Sequence, residues 1–318
     1  MDSSNIGISV VVPVYNEQEN LDYLFQRLLG VLQGLGLIYE IICINDGSRD
    51  DTLKGLVDYH HRYPEIKIVN LSRNFGKEIA LSAGLDYTQG KVVVIIDADL
   101  QDPPELIGEL LGKWREGYDV VYATRRSRAG ETWLKRFTAF GFYRVLNLLS
   151  EVAIPDNTGD FRLLDRRVVE ALRQLPERNR FMKGLFSWVG YKQTAVMFDR
   201  PPRHRGSSSW NYWKLWNFAL EGLTSFSFMP LKIWSYVGLA IAIPAVFYAT
   251  YLILRTLIFG IDVPGYASLM VAVLFFGGIQ LVTLGVIGEY LGRIYQEVKG
   301  RPLYFVRDSY GFEQPKDQ

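Results

Sequence analysis

The sequence predicts an α/β domain with a mostly parallel β-sheet, followed by an amphipathic helix and two membrane-spanning helices. Apolar runs of strand length alternate with segments of helical periodicity up to about residue 125, as in a doubly wound domain. After about Ser225 the composition changes, and two long stretches carry no charged residue. These observations define the fold class, in which a Rossmann-like domain precedes a membrane region.

Five short apolar runs are predicted to be strands, and a polar turn follows each of them. They are Ile8–Val14, Tyr39–Ile44, Lys67–Leu71, Val92–Ile96 and Asp119–Ala123. Helical periodicity occupies the segments between them. Because right-handed crossovers bring the carboxyl ends of parallel strands to one edge, three turns are expected to meet there. These turns are Tyr15–Glu17, Asp46–Ser48 and Asp97–Asp99.

Two carboxylates, Asp97 and Asp99, leave the sheet at the end of the fourth strand. If the chain stays extended there, residues two apart point the same way, and both aspartates face one site. Two hard oxygen donors suit Mg²⁺ or Mn²⁺, which completes its shell with water and substrate phosphates. The alternative is a solvated turn, because a chain with 34 acidic residues contains such triplets by chance.

Other features exclude several classes of site. No G-x-G-x-x-G or G-x-x-x-x-G-K-[ST] motif follows the first strand, so the dinucleotide and P-loop hypotheses lose their main support. A single cysteine, Cys43, and three scattered histidines exclude a disulfide framework and a zinc cluster. The net charge of +1 gives no indication of a nucleic-acid partner. A nucleoside diphosphate held through a metal is favoured instead.

Three further polar segments contribute candidate site residues. Residues 124–136 are rich in arginine and suit a second anionic group, although a solvated charged face is the alternative. Residues 198–210 form a basic Pro/Gly/Ser-rich loop, either a linker or a lid over an anion. Residues 155–162 form a polar loop whose acids equally suit turn and cap chemistry. The candidates in these segments are Arg125, Arg136, Arg203, Asp156 and Asp160.

Two uncharged segments, Ser235–Leu254 and Val263–Gly288, are each long enough to cross a hydrocarbon core about 30 Å thick. Lys232 precedes the first segment, and Arg293 follows the second. The positive-inside rule therefore predicts that the α/β domain and both termini lie on the cytoplasmic side of the membrane. The N-terminus lacks the charge and apolar pattern of a signal peptide.

The sequence predicts an interfacial helix just before the membrane spans and a contact between copies of the chain within them. The aromatic-rich segment Trp210–Phe226 has amphipathic spacing and is expected to lie in the membrane interface, unless it packs on the α/β domain. Gly288 and Gly292 form a small-xxx-small pair that favours a homo-oligomer through the spans. The predicted divisions are the α/β domain at 1–209, the amphipathic helix at 210–230, the hairpin at 231–292 and a cytoplasmic tail at 293–318.

Five motifs, in their order and spacing, resemble family 2 glycosyltransferases of GT-A fold. They are Val10–Glu17, Asn45–Thr52, Asp97–Glu105, Thr158–Arg166 and Arg203–Trp210. The chain is most similar to the polyisoprenyl-phosphate glycosyltransferases, which include dolichyl-phosphate mannose synthases and bacterial bactoprenol glucosyltransferases. The resemblance covers essentially the whole chain, including the two C-terminal spans typical of the bacterial glucosyl branch, and it implies an integral protein of a bacterial inner or plasma membrane. It implies inverting transfer of a sugar, here glucose from UDP-glucose, to a polyprenyl phosphate such as undecaprenyl phosphate.

The resemblance also implies roles for individual residues. The positions that match nucleotide-sugar-binding residues are Pro13, Tyr15, Glu17, Asp46, Asp97 and Gln101. Asp97 and Asp99 match the metal-binding motif. Together with the candidate acids, the catalytic set is Asp99, Asp156, Asp160, Arg125, Arg136 and Arg203. Asn45 stands where many members have an Asp with a metal or base role. Ser209 stands where many members have a Lys, so phosphate binding depends more on the arginines.

Two other functions remain as alternatives. A processive polysaccharide synthase of the same fold carries a Q-x-x-R-W motif and usually more spans, and this sequence has neither. A non-catalytic membrane scaffold with a decayed transferase domain is the second alternative. The retained acids Asp46, Asp97 and Asp99 argue against decay.

Overall fold

A computed structural model of the chain describes residues 6–99, 101–126, 158–178, 180–198 and 265–312, and single positions between 236 and 259. Its strands are β1 (Ile8–Val14), β2 (Tyr39–Asn45), β3 (Ile66–Leu71), β4 (Val92–Ile95), β5 (Val120–Arg125), β6 (Thr158–Asp165), β7 (Gln193–Phe198) and β8 (Val306–Tyr310). Its helices are α1 (Leu21–Gly34), α2 (Thr52–Arg62), α3 (Lys77–Tyr87), α4 (Ile107–Arg115), α5 (Arg166–Gln174), α6 (Met182–Trp188) and α7 (Tyr266–Val298).

The strands form one eight-stranded sheet in the order β7-β5-β6-β4-β1-β2-β3-β8. Strands β1 to β4 are parallel, and β7 is parallel to β5. Strands β6 and β8 run antiparallel to their neighbours. The prediction of a mostly parallel α/β sheet is therefore confirmed, and the five predicted strands coincide with β1 to β5 to within two residues at either end.

The central strands are buried on both faces, which explains why they read as continuous apolar runs. Val10 and Val12 face a core shared with Leu24 and Phe25 of α1. Val11 faces the opposite core, beneath α3. Helix α3 lies very close to the sheet, because a Cβ on Gly84 would overlap the side chain of Val11. This close packing fixes the N-terminal end of α3 above the carboxyl edge of the strands.

The tail beyond α7 returns to the α/β domain, which the sequence did not predict. Strand β8 pairs with β3, and Ser72 N–H donates to the carbonyl of Phe305 at 2.9 Å. The Tyr304 hydroxyl donates to Asp86 at 2.8 Å. The carboxylate of Glu297 at the end of α7 accepts hydrogen bonds from Arg178 N–H at 2.9 and 3.1 Å. Residues 297–312 are therefore part of the domain and not a separate tail.

Within the described residues, one helix is long and apolar enough to cross a membrane, the Phe275–Val298 part of α7. It continues ten residues beyond the predicted span Val263–Gly288. Every described position between 236 and 259 is helical, and the rest of the predicted span Ser235–Leu254 lies outside the described residues. The predicted interfacial segment at 210–230 also lies outside them.

Candidate functional site

The loops that follow β1 and β2 are joined at the carboxyl edge of the sheet. Asn16 N–H donates to Ser48 Oγ at 3.0 Å, and Arg49 N–H donates to Asn16 Oδ1 at 2.8 Å. Glu17 N–H donates to Thr52 Oγ1 at 3.0 Å. Asn16 adopts a left-handed φ of 54°, which this short polar side chain tolerates. Two of the three turns predicted to meet at this edge are therefore in contact.

Asp46 anchors the loop that leads into α3. Its Oδ1 accepts from Phe75 N–H at 2.7 Å, and its Oδ2 accepts from Gly76 N–H at 3.0 Å. The side chain is buried, and burial raises the pKa of Asp46 although the two N–H donors oppose this. Both oxygens of this predicted nucleotide-binding residue thus bind the protein backbone. The carboxylate holds the start of α3 in place.

Gly47, in the turn after β2, allows the loop that leads into α3 to pass close to this turn. This contact gives a testable prediction. Its φ is 66°, and a Cβ would lie 2.5 Å from backbone atoms of Arg73 and Asn74. Gly47→Ala is expected to lower the free energy of unfolding by about 3 kcal/mol, from backbone strain plus overlap. Urea unfolding followed by circular dichroism measures the change.

Gly36 provides a matched control for that substitution. Its φ is 63°, but a Cβ there meets nothing within 4 Å. Gly36→Ala is expected to cost about 1 kcal/mol, from the left-handed conformation alone. Equal losses for the two variants would show that the approach of the loop to Gly47 has no energetic importance.

The chain does not stay extended through the predicted metal motif. Strand β4 ends at Ile95, and a turn begins at Ala98. Asp99 Oδ1 accepts a hydrogen bond from Gln101 N–H at 3.2 Å within this turn. The prediction that an extended chain points Asp97 and Asp99 in the same direction is therefore wrong, because the two residues lie in and before a turn.

Lys77, the first residue of α3, bridges two carboxylates at this edge. Its Nζ lies 2.6 Å from Asp97 Oδ1 and forms a second ion pair with Asp160. Strands β4 and β6 explain why the acids meet, since Ile95 pairs with Arg162 in antiparallel register. Asp97 follows Ile95 by two residues and Asp160 precedes Arg162 by two, so this pairing brings both acids to the same edge of the sheet. We call Lys77, Asp97 and Asp160 the lysine-bridged pair.

The electrostatics of the lysine-bridged pair are unequal. Burial alone would raise the pKa of Asp160, but the Lys77, Lys183 and Arg162 cations overcome it and hold the pKa below its ordinary value. Burial raises the pKa of Asp97, against the opposing effect of Lys77. Burial would lower the pKa of Lys77, but the charges of Asp97 and Asp160 outweigh burial and raise this pKa above its ordinary value. Asp160 is thus the more firmly ionised carboxylate.

Arg162 supports Asp160 from beneath. Its guanidinium lies 3.9 Å from the centre of the Phe186 ring and donates to the carbonyl of Gly159 at 3.0 Å. Burial lowers the pKa of Arg162 to about 10, so it still carries its charge at neutral pH. This buried cation, absent from the predicted set, fixes the backbone that carries Asp160.

The structure places the other predicted residues as follows. Pro13 lies within β1, and Tyr15 is exposed in the loop after that strand. The Glu17 carboxylate accepts a hydrogen bond from Asn20 at 2.6 Å. Gln101 is buried near Asp99. Arg125 is the last residue of β5. Asp156, Arg136 and Arg203 lie outside the described residues. Sequence reasoning missed Lys77, although Asn74–Lys77 follows β3 at the same edge as the other polar turns.

Comparisons with known proteins show the family to which the chain is similar. The glycosyl transferase family 2 model matches residues 9–173, and the GtrB C-terminal hairpin model matches residues 229–294. An uncharacterized glycosyltransferase of Synechocystis sp. is 66% identical, over 97% of each chain. The SfII prophage-derived bactoprenol glucosyl transferase of Shigella flexneri is 48% identical, over 95% of this chain and 98% of the relative.

A solved structure shows the shared fold of the α/β domain. Mannosyl-3-phosphoglycerate synthase from Rubrobacter xylanophilus covers 68% of this chain and 71% of its own, with 19% identity and a TM-score of 0.50. The family resemblance predicted from the sequence motifs is confirmed by the family match and by the relatives. The chain therefore belongs to glycosyl transferase family 2 and is a glycosyltransferase with a GtrB-type C-terminal hairpin.

Proposed function

We propose that this enzyme transfers glucose from UDP-glucose to a polyprenyl phosphate such as undecaprenyl phosphate, with inversion at the anomeric carbon. The observation that carries the proposal is 47–48% identity to bactoprenol glucosyl transferases along 94–95% of the chain. The site supports it, because ionised side chains converge at the sheet edge where nucleotides bind in open α/β folds.

Asp97 and Asp99 are proposed to hold a Mg²⁺ or Mn²⁺ ion. The residues fit such an ion, since Asp160 Oδ1 is buried and accepts no hydrogen bond among the described residues, and Asp97 Oδ1 is buried with the Lys77 ammonium beside it. Among the described residues, no three acids, histidines or cysteines form a complete metal shell. A metal that takes its remaining ligands from water and diphosphate needs no more. When bound, it would neutralise charge on the leaving diphosphate.

The acceptor needs little activation. A phosphate monoester has a second pKa of about 6, so its oxygen is mostly anionic at neutral pH. A general base is therefore less necessary than for an alcohol acceptor. Asp160, ionised and bound to Lys77, is proposed to orient the site instead of removing a proton. Arg125, Arg136 and Arg203 are proposed to bind donor or lipid phosphate.

The sheet topology supports a membrane hairpin with two crossings. Strands β7 and β8 belong to one sheet, so the chain between them crosses any membrane an even number of times. Helix α7, which is long and apolar enough to cross a membrane, is proposed to supply one crossing, and Ser235–Leu254 is proposed to supply the other. The positive charges of Lys232 and Arg293 support a cytoplasmic location of the catalytic domain. Gly288 and Gly292 are proposed to contact a second copy of the chain.

The test is transfer from a panel of radiolabelled nucleotide sugars to undecaprenyl phosphate in membranes that contain the full chain. The expected result is one β-linked glucose per lipid from UDP-glucose, with no label on unphosphorylated undecaprenol. A ladder of longer products would favour a processive synthase. Transfer from no donor would overturn the proposal.

A further inference from the structure

Lys77 combines a fixed backbone position with a long side chain that is partly exposed to solvent. It follows Gly76, whose N–H is held by Asp46, so the start of α3 has a set position. Its side chain is 41% exposed at the opening of the site. The ammonium can therefore leave its carboxylate partners without any change in the helix. A flexible four-carbon stem with three rotatable donors suits such a movement.

In the lysine-bridged pair, the Lys77 ammonium already neutralises the carboxylate of Asp97, which is the acid that is proposed to bind the metal. Asp97 belongs both to that pair and to the proposed metal ligands. A divalent cation arriving alone must displace Lys77 from Asp97 and leaves the ammonium with one carboxylate partner fewer. A cation arriving with a diphosphate brings a new anionic partner for the ammonium. The two ligands are then more favourable together than separately.

We propose that Lys77 couples metal binding to donor binding: it is the resident counter-ion of Asp97 and Asp160, and its ammonium moves to the donor diphosphate when the metal binds Asp97. This inference rests on the proposed function, since it requires a nucleoside diphosphate donor. It adds a role for a residue that none of the motifs assigned.

The test measures Mn²⁺ binding to the full-length protein in detergent, from the electron paramagnetic resonance signal of free Mn²⁺, with and without UDP. Lys77→Met is expected to bind Mn²⁺ alone at least about tenfold more tightly than the wild type, because a repelling charge is gone. The factor by which UDP tightens Mn²⁺ binding is expected to fall at least about tenfold in the same variant. Unchanged Mn²⁺ affinity would overturn the inference.

Two further variants separate charge from structure. Lys113→Met is the matched control, because Lys113 on α4 is also 41% exposed and pairs with Glu116, just after the helix, at 2.8 Å. It is expected to leave Mn²⁺ affinity unchanged. Lys77→Arg keeps the charge and is expected to retain the weak affinity of the wild type for Mn²⁺ alone. If Lys77→Arg behaved as Lys77→Met does, charge would not be the cause, and the inference would fail.

The outcome is independent of the lipid transfer assay. Mn²⁺ and UDP binding require neither sugar nor acceptor, so a wrong acceptor leaves the Lys77 test intact. Successful glucosyl transfer combined with unaltered Mn²⁺ affinity in Lys77→Met would reject the coupling alone. Circular dichroism of each variant verifies that the measured protein is folded.

Discussion

Asp97→Asn is expected to lower the initial rate of glucosyl transfer about 10²–10³-fold, the usual effect of removing one electrostatic group from a transition state. The variant keeps the shape of the side chain but loses the charge that faces Lys77 and the proposed metal. Initial rates of radiolabel transfer to undecaprenyl phosphate give the measurement, and circular dichroism establishes that the protein remains folded.

Asp58→Asn is the control for this substitution. Asp58 is an exposed acid on α2, so its neutralisation changes the net charge equally without touching the site. Its transfer rate is expected to match that of the wild type. If Asp97→Asn kept the full rate in excess EDTA, neither the carboxylate nor a metal would belong to the mechanism.

Ending the chain after Gly300 is expected to lower the unfolding temperature of the α/β domain by about 10 °C. The deletion removes β8 and the apolar contacts of Tyr304, Val306 and Phe312 with the core. Three partly buried side chains of this kind contribute about 4 kcal/mol together. A domain of this size loses about 2–4 °C for each kcal/mol. Thermal unfolding followed by circular dichroism gives the shift.

A second truncation makes the result specific to β8. Ending the chain after Phe312 keeps the strand and removes only the six residues that follow. Its unfolding temperature is expected to equal that of the intact chain. Similar unfolding temperatures for both truncations would mean that β8 contributes nothing to the stability of the domain.

The central strands of the fold were predictable because each of them is a short, almost entirely apolar run of residues. Strands such as β1 and β2 are buried on both faces, so nearly every residue in them is apolar. Strand β8, with the sequence VRDSY, has an exposed face and lies at the sheet edge. Its partner β3 is more than 230 residues earlier in the chain, and periodicity does not identify a partner at that distance.

The sequence predicted which edge of the sheet carries the candidate site, but it did not predict the contacts among the site residues. The ends of β1, β2 and β4 pointed to Asp46, Asp97 and their neighbours. The bridge through Lys77 depends on the antiparallel register of β6 against β4, which brings Asp160 to Asp97. The sequence contained no signal for that direction, because βα alternation predicts parallel neighbours. The backbone role of Asp46 likewise depends on where the loop before α3 lies.

The pairing of β8 with β3 links the folding of this enzyme to its biogenesis. The edge of β3 stays open during synthesis until residues 306–310 have emerged, which is after the residues 229–294 that match the GtrB C-terminal hairpin. A chain that crossed the bilayer only once would carry β8 to the opposite side, where it has no partner. We expect such a chain to present an unpaired strand edge to cellular proteases. If the proposed hairpin crosses the membrane twice, completion of the sheet depends on its correct insertion.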